Sequence, residues 1–225
     1  MIFRCRMCGC DLIEKNAIGQ CTYCGHRETS DWHCPAGHYT CESCRTATAE
    51  ALIERTCLAS DLKDPLELAE LILKHPAFPP YGAEHHLLAA PVLLASLRNR
   101  GLAGVSDASI RQAIARLQDI PELICATRGD CGAAASAGTV VSILRKATIR
   151  SDEERSAALR ATAAALVRIA DHGGPRCCRQ SVFDTIHATW ERLQVELHLE
   201  PLSARACERT EALKDCKTMR CSYFG

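Results

Sequence analysis

The sequence predicts a mainly α-helical protein, a helical domain preceded by a small metal-binding head. Three observations carry this expectation. Only 4 % of the residues are aromatic although 47 % are hydrophobic, much of that Ala and Cys, and cores poor in aromatic and β-branched residues favour helices. Cysteine pairs at metal-ligand spacing crowd the first 44 positions. Beyond them, capped amphipathic segments follow one another with no strand pattern and no internal repeat. The division expected is residues 1–46, two Cys/His metal-binding modules, and residues 47–225, a cysteine-rich helical domain with tail cysteines.

Lys and Arg (27) balance Asp and Glu (27), which argues against a strongly basic nucleic-acid surface while leaving room for a local patch. The 16 cysteines need a reason. Met1-Ile2-Phe3-Arg4 runs directly into Cys5 without a signal-peptide pattern, and no apolar run is long enough to span a membrane. The expected setting is a reducing cytoplasm, where cysteine-rich chains hold metals.

In the head, Cys5-x2-Cys8 and Cys21-x2-Cys24 have the zinc-ribbon-like spacing of a four-thiolate site. Leu12, Ile13 and Ile18 between them supply a hairpin but no independent core, so metal must provide much of the folding free energy. Cys34-x3-His38-x2-Cys41-x2-Cys44 offers a second closed set of three thiolates and an imidazole. Pairing within each set is simplest, and a cross-braced exchange between the sets is the alternative. Zinc is the expected metal. Closed four-ligand sites leave no position for substrate, so both are read as structural. Cys10 is spare. Arg4, Arg6, Lys15 and Arg27 against Asp11, Glu14 and Glu28 make a weak case for nucleic acid.

The body reads as successive helices. Residues 47–59 are Ala-, Leu- and Glu-rich, with Cys57 a buried inert thiol. Asp64-Pro65-Leu66-Glu67 opens the next helix with a cap, a first-turn proline and a reciprocal glutamate, and Lys74-His75-Pro76 closes it. After the turn Phe78 to Gly82 comes Glu84-His85-His86, with Pro91 starting another helix that ends by Gly101. Further helices are expected at 107–117 (Ile110, Ile114, Leu117 inward), at 131–147 (Ala137, Val141, Leu144), and from a Ser151–Glu154 capping box to Ala170 (Leu159, Leu166, Ile169). The first half of 131–147 is nearly all small residues, open to a close backbone or cofactor. The last long helix follows Cys177, with Val182, Ile186, Trp190, Leu193 and Leu197 inward. His26, His33, His172, His187 and His198 default to surface or packing roles.

Three segments share one design, a glycine turn, then reactive side chains, then a helix start: Gly82 to His86, Gly129 to Gly132, and Gly173-Gly174-Pro175-Arg176-Cys177-Cys178. Helix starts stabilise thiolates and anions, and three of them at one end of a bundle build one pocket. Cys125 adds a loop thiol. Glu84, His85 and His86 are candidate acid–base groups, and Arg176 a candidate anion binder. The tail spacing Cys207-x8-Cys216-x4-Cys221 supplies three corners of an iron–sulfur cluster, with the fourth from Cys131, Cys177, Cys178 or a small molecule. Few aliphatics hold this tail, so ligation is expected to anchor it. A third zinc site and a Cys177–Cys178 disulfide are the alternatives.

Taken in order, Cys34…His38…Cys41…Cys44, Glu84-His85-His86, Cys131-Gly132-Ala133-Ala134, Gly173 to Cys178 and the tail cysteines make the chain similar to the prokaryotic domain-of-unknown-function family 5714 over roughly residues 33–224. The resemblance implies a cysteine-rich protein of the kind found in anaerobes and archaea, sometimes joined to a methyltransferase domain, and it implies no activity. Ser222 stands where the family pattern has proline, and the Cys5–Cys24 ribbon is an addition.

The functional expectation is a cytoplasmic metal-binding protein, iron–sulfur-dependent, in sulfur-transfer, redox or one-carbon chemistry on a cofactor or modified nucleotide. A partner enzyme such as a methyltransferase is expected, and no membrane. The alternatives are a non-enzymatic zinc-scaffolded adaptor for RNA or a partner enzyme, and a thiol redox switch.

Overall fold

The computed structural model describes residues 3–207 and 214–224, so Met1 and Ile2 of the signal-peptide argument lie outside them. Among the described residues it is mostly helical, with one two-stranded antiparallel sheet in the cysteine-rich head. Strands β1 (Ile13–Gln20) and β2 (Arg27–His33) pair in a register that sets Ile13 opposite His33 and Gly19 opposite Glu28. The hairpin is larger than expected: the segment between the first two knuckles forms only β1, and the Cys21–Cys24 knuckle sits in the connection to β2. Ile13 and Ile18 are 49 % and 71 % exposed, so apolar burial contributes little to holding these strands together.

Helices α1 (Glu42–Arg45), α2 (Ala49–Ala59) and α3 (Pro65–Leu73) follow. Asp64 caps α3 by accepting from the Leu66 and Glu67 amides at 2.8 and 3.4 Å, while the Glu67 carboxylate faces Arg205 at 3.6 Å. A 3-10 turn, Ala83–Leu87, leads into α4 (Ala89–Asn99). That helix starts before Pro91, which fits inside its first turn because no intrahelical donor is needed there. Residues Ala89 to Leu97 are all buried, which makes α4 the centre of the body. Around it run α5 (Asp107–Leu117), α6 (Ile124–Thr127), α7 (Gly132–Leu144), α8 (Glu153–His172) and α9 (Cys178–Leu197).

Two local expectations fail for identifiable reasons. The Ser151–Glu154 capping box does not form: Ser151 Oγ instead accepts from the Thr148 amide at 3.0 Å, and Asp152 stands at the cap without a side-chain bond. The fully buried face of α8 is Ala157, Ala161 and Ala165; of the expected stripe, Leu166 and Ile169 pack half-buried against the core while Leu159 is 56 % exposed. Helices α7 and α8 approach too closely for leucine. A Cβ on Gly138 would lie 2.3 Å from Thr162 Oγ1 and 3.0 Å from the Ala158 carbonyl. The small residues of α7 thus serve helix packing, and Gly132 serves the ring of His86, rather than a cofactor. One continuous core joins Tyr23, Cys41 and Cys44 of the head to Leu52, Leu93, Ile114 and Trp190 of the body.

Candidate metal centres and thiol chamber

The head thiols gather into two tetrads, and the pairing is cross-braced. Cys5, Cys8, Cys34 and His38 form one group and Cys21, Cys24, Cys41 and Cys44 the other, each with its ligand atoms within 4.8 Å of one another. Pairing within consecutive sets is thereby overturned. The hairpin accounts for it, because β1 and β2 carry Cys34 back beside the first knuckle and leave the second beside Cys41. Cys8 and Cys34 sulfurs lie 3.4 Å apart, Cys24 and Cys41 sulfurs 3.6 Å, and His38 Nδ1 stands 3.8 and 3.7 Å from Cys5 and Cys34. A tetrahedron built on Zn–S bonds of about 2.3 Å has edges of about 3.8 Å, so both groups fit a metal ion such as zinc. One donor of each tetrad is primed for deprotonation, while burial pushes Cys5, Cys24 and Cys44 the other way. Hydrogen bonding from the Cys10 amide brings Cys8 down to about 7. At Cys41 burial pushes up, but the Ser43 hydroxyl and Cys44 amide pull further down, to about 7.

In the body, the three glycine-turn segments do converge. His85 and His86 from the 3-10 turn, Cys131 before α7, Cys125 on α6, and Arg176 and Cys178 at the start of α9 line one cavity of about 360 Å³. Glu84 does not line it; its carboxylate folds back beside Gly82, with Oε2 buried and unpartnered. Burial pushes His85 down to about 4 and His86 in the same direction, so both rings are neutral at pH 7. Their Nδ1 atoms meet the carbonyls of Gly82 (3.3 Å) and Ile120 (3.4 Å). A carbonyl only accepts, which assigns the proton to Nδ1 and leaves each Nε2 a lone pair.

Arg176 packs over the Tyr81 ring at 5.6 Å, donates from Nε to Cys178 Sγ at 3.3 Å and faces Glu122 at 3.8 Å. Cys177 is the N-cap of α9, its sulfur accepting from the Gln180 amide at 3.4 Å. The helix starts do not depress the cap thiols. Burial outweighs the amide bonds and holds both Cys131 and Cys177 above the ordinary thiol value. Every cysteine is unbridged, and the Cys177 and Cys178 sulfurs have different partners.

Behind Arg176 and Cys177 lies a smaller cavity of about 30 Å³, lined by Cys177, Cys207, Cys216 and Cys221 together with Arg179 and Lys217. Among the described residues these four thiols form no group as tight as the head tetrads. The tail has anchors that sequence reasoning missed. Tyr223 donates to the fully buried Asp184 at 2.7 Å, and His172 and Gln180 bond the same carboxylate at 2.6 and 3.2 Å. Lys217 Nζ donates to the carbonyls of His172 and Gly173, both at 2.7 Å. Gly174 makes room for it, since a Cβ there would lie 2.2 Å from Lys217 Cδ. In sequence Asp184 is unremarkable as one polar residue on an amphipathic helix, and His172 defaults to a surface or packing role. Ser222 Oγ lies 3.2 Å from His172 Nε2, but it is exposed and lines none of the cavities described. Arg179 pairs with Glu70 inside the core beneath the smaller cavity.

These centres and this helical body define a cysteine-rich metal-binding protein. The family of unknown function DUF5714 matches residues 53–224, and the chain belongs to that family. The match starts at residue 53 rather than 33, so it takes in the chamber and tail cysteines and leaves out both head tetrads. Neither curated proteins nor solved structures gave a match to the chain. No helix among the described residues is long and apolar enough to cross a membrane.

Proposed function

We propose that the protein is a zinc-scaffolded metalloprotein whose body carries a third thiolate centre, an iron–sulfur cluster, beside a chamber for a small substrate. The observation that carries this reading is the gathering of Cys177, Cys207, Cys216 and Cys221 around one cavity whose wall, Arg176 and Cys177, is shared with the chamber. Four thiols set wider than a single-ion tetrad suit a polynuclear cluster. Their cavity is small, so loading moves the tail outward. The chamber supplies three further thiols, Cys125, Cys131 and Cys178, neutral imidazoles with free Nε2 lone pairs, and Arg176 for an anionic group. Sulfur-transfer, redox or one-carbon chemistry on a cofactor or modified nucleotide fits that inventory, with a partner enzyme such as a methyltransferase as the source or acceptor of the group. A Cys177–Cys178 switch is less favoured, because the two sulfurs are held by the Gln180 amide and by Arg176.

Metal and acid-labile sulfide analysis of anaerobically prepared protein tests the reading. The expected content is two zinc ions, one per tetrad, with about four irons and four sulfides. Cys177→Ser or Cys221→Ser should remove iron and sulfide and spare zinc. A colourless protein with zinc alone after reconstitution sinks the cluster.

A further inference from the structure

A further cavity of about 630 Å³, larger than the chamber or the tail site, belongs to neither. It is a cleft between the head and the end of α3. Arg4 and Arg6 flank Cys5 of the first knuckle, Arg45 ends α1, and Lys74 caps the end of α3, and all four line it together with Phe3 and Trp32. No Asp or Glu is among its lining residues. In a chain of zero formal charge, four cations line one cleft whose own lining carries no carboxylate, and Glu28, an acid within electrostatic reach of Arg45, lies outside it. The first tetrad does not cancel these cations. Cys5, Cys34 and His38 line the cleft, and three thiolates on a divalent ion leave a single negative charge. Arg4 meets Asp11 at 3.3 Å, but both side chains are mostly exposed, and such pairs hold their partners only weakly. Arg6 makes no ion pair among the described residues. Beside these cations Phe3 and Trp32 meet edge to face at 4.8 Å, and Phe3 remains 42 % exposed.

Cations that track a phosphate chain, interleaved with accessible aromatic rings, are the recognition chemistry of unpaired nucleic acid, in which splayed bases stack on ring faces. We propose that this cleft binds single-stranded nucleic acid, with the phosphates on Arg4, Arg6, Arg45 and Lys74 and a base against Trp32. A duplex hides its base faces and offers nothing to the aromatic pair. Because the cleft is assembled from both sides of the first tetrad, binding depends on head zinc. It does not depend on the tail centre, so this inference stands or falls separately from the cluster.

The test is fluorescence anisotropy with labelled mixed-sequence RNA and DNA oligonucleotides, single-stranded and duplex, on the zinc-loaded full chain. Single strands of either sugar should bind more tightly than duplex, and log affinity should fall with log salt at a slope of about −2 to −3 for three or four phosphate contacts. The double variant Arg6→Ala with Lys74→Ala should weaken binding at least tenfold and flatten that slope. Trp32→Ala should weaken it about fivefold or more with the slope unchanged. Retained zinc content checks that each variant keeps its head. Lys15→Ala, on the exposed face of β1 and outside the cleft, should bind as the parent does. Absence of binding at low salt, equal binding of duplex, or an equal loss on Lys15→Ala would each overturn the proposal.

Discussion

At Gly132 an added methyl group would lie 2.2 Å from Cγ of His86 and 2.5 Å from its Nδ1. The ring is buried and tied to the Ile120 carbonyl, so it cannot retreat as a flexible chain end would. Gly132→Ala should therefore cost about 1–3 kcal/mol, the range for overpacking a filled site, seen as a lower denaturant midpoint with an unchanged slope. An unchanged midpoint would mean that the ring is not held there. His85 makes a second residue-level argument, about pH. Burial lowers its folded value from 6.5 to about 4 and also lowers those of His75, His86 and His187. Below about pH 6.5 the unfolded chain takes up protons that the fold refuses. This stability is therefore complete above about pH 6.5 and is lost as pH falls toward 4. Between pH 7.5 and 5.5 His85 alone accounts for about 1.4 kcal/mol, so His85→Gln should lose that much less stability than the parent over the same interval. Equal losses in both proteins would contradict a buried neutral ring. Little of this was legible beforehand. The adjacent histidines were conspicuous in sequence, but the carbonyls that fix their protons belong to Gly82 and to Ile120, 34 positions away from His86.

Among the elements, the tail is the one whose hold was misjudged from sequence. Its three thiols were expected to need a metal to stay docked, because the segment has few aliphatics. The structure instead seats Tyr223 against Asp184 and Lys217 over Gly174. Asp184 is fully buried, and a carboxylate in that position depends on its partners. Tyr223→Phe keeps the ring and removes one of three hydrogen bonds, so the loss should be about 1–3 kcal/mol and fall mainly on the tail. In metal-free protein, Cys216 and Cys221 should then react faster with a thiol reagent while the helical circular dichroism holds. Unchanged thiol reactivity would show that the tail docks by other means. Helix boundaries were far more legible than this docking. Ile110, Ile114 and Leu117 repeat at helical spacing and gave α5 its limits. Leu159 gave the wrong face of α8, because periodicity marks apolar residues and says nothing of how near the next helix comes. There Gly138 lets α7 in close against Ala158 and Thr162, and the fully buried residues of α8 are alanines.

For the whole molecule, the decisive feature is the exchange of ligand pairs across the hairpin. Spacing within a knuckle is local and was plain in the sequence. Which knuckles share an ion is set by β1 and β2, whose polar, exposed strands gave no strong pattern, so both pairings stood open until the strands were placed. The two pairings differ in a countable way. Cys8→Ser with Cys34→Ser removes two ligands from one tetrad and none from the other. Cross-bracing thus predicts one tightly held metal ion in that double variant, measured by native mass spectrometry, where consecutive pairing would damage both sites. Cys8→Ser with Cys24→Ser reverses the expectation, since each tetrad then loses one ligand. The same geometry ties the head together twice. Each tetrad joins segments on both sides of the hairpin, so with one tetrad emptied the other still holds the strands together. Trp32 in the head and Trp190 in the body core report separately on this. Stripping the head metal with a strong chelator should change the emission of Trp32, which packs against Phe3 beside the first tetrad. Trp190, 1 % exposed and bonded through Nε1 to the Glu200 carbonyl at 2.8 Å, should keep its emission while the helices keep their dichroism. If the Trp190 signal collapsed together with that of Trp32, the core running from Tyr23 to α4 would be holding head and body as one cooperative unit, with the metals stabilising both.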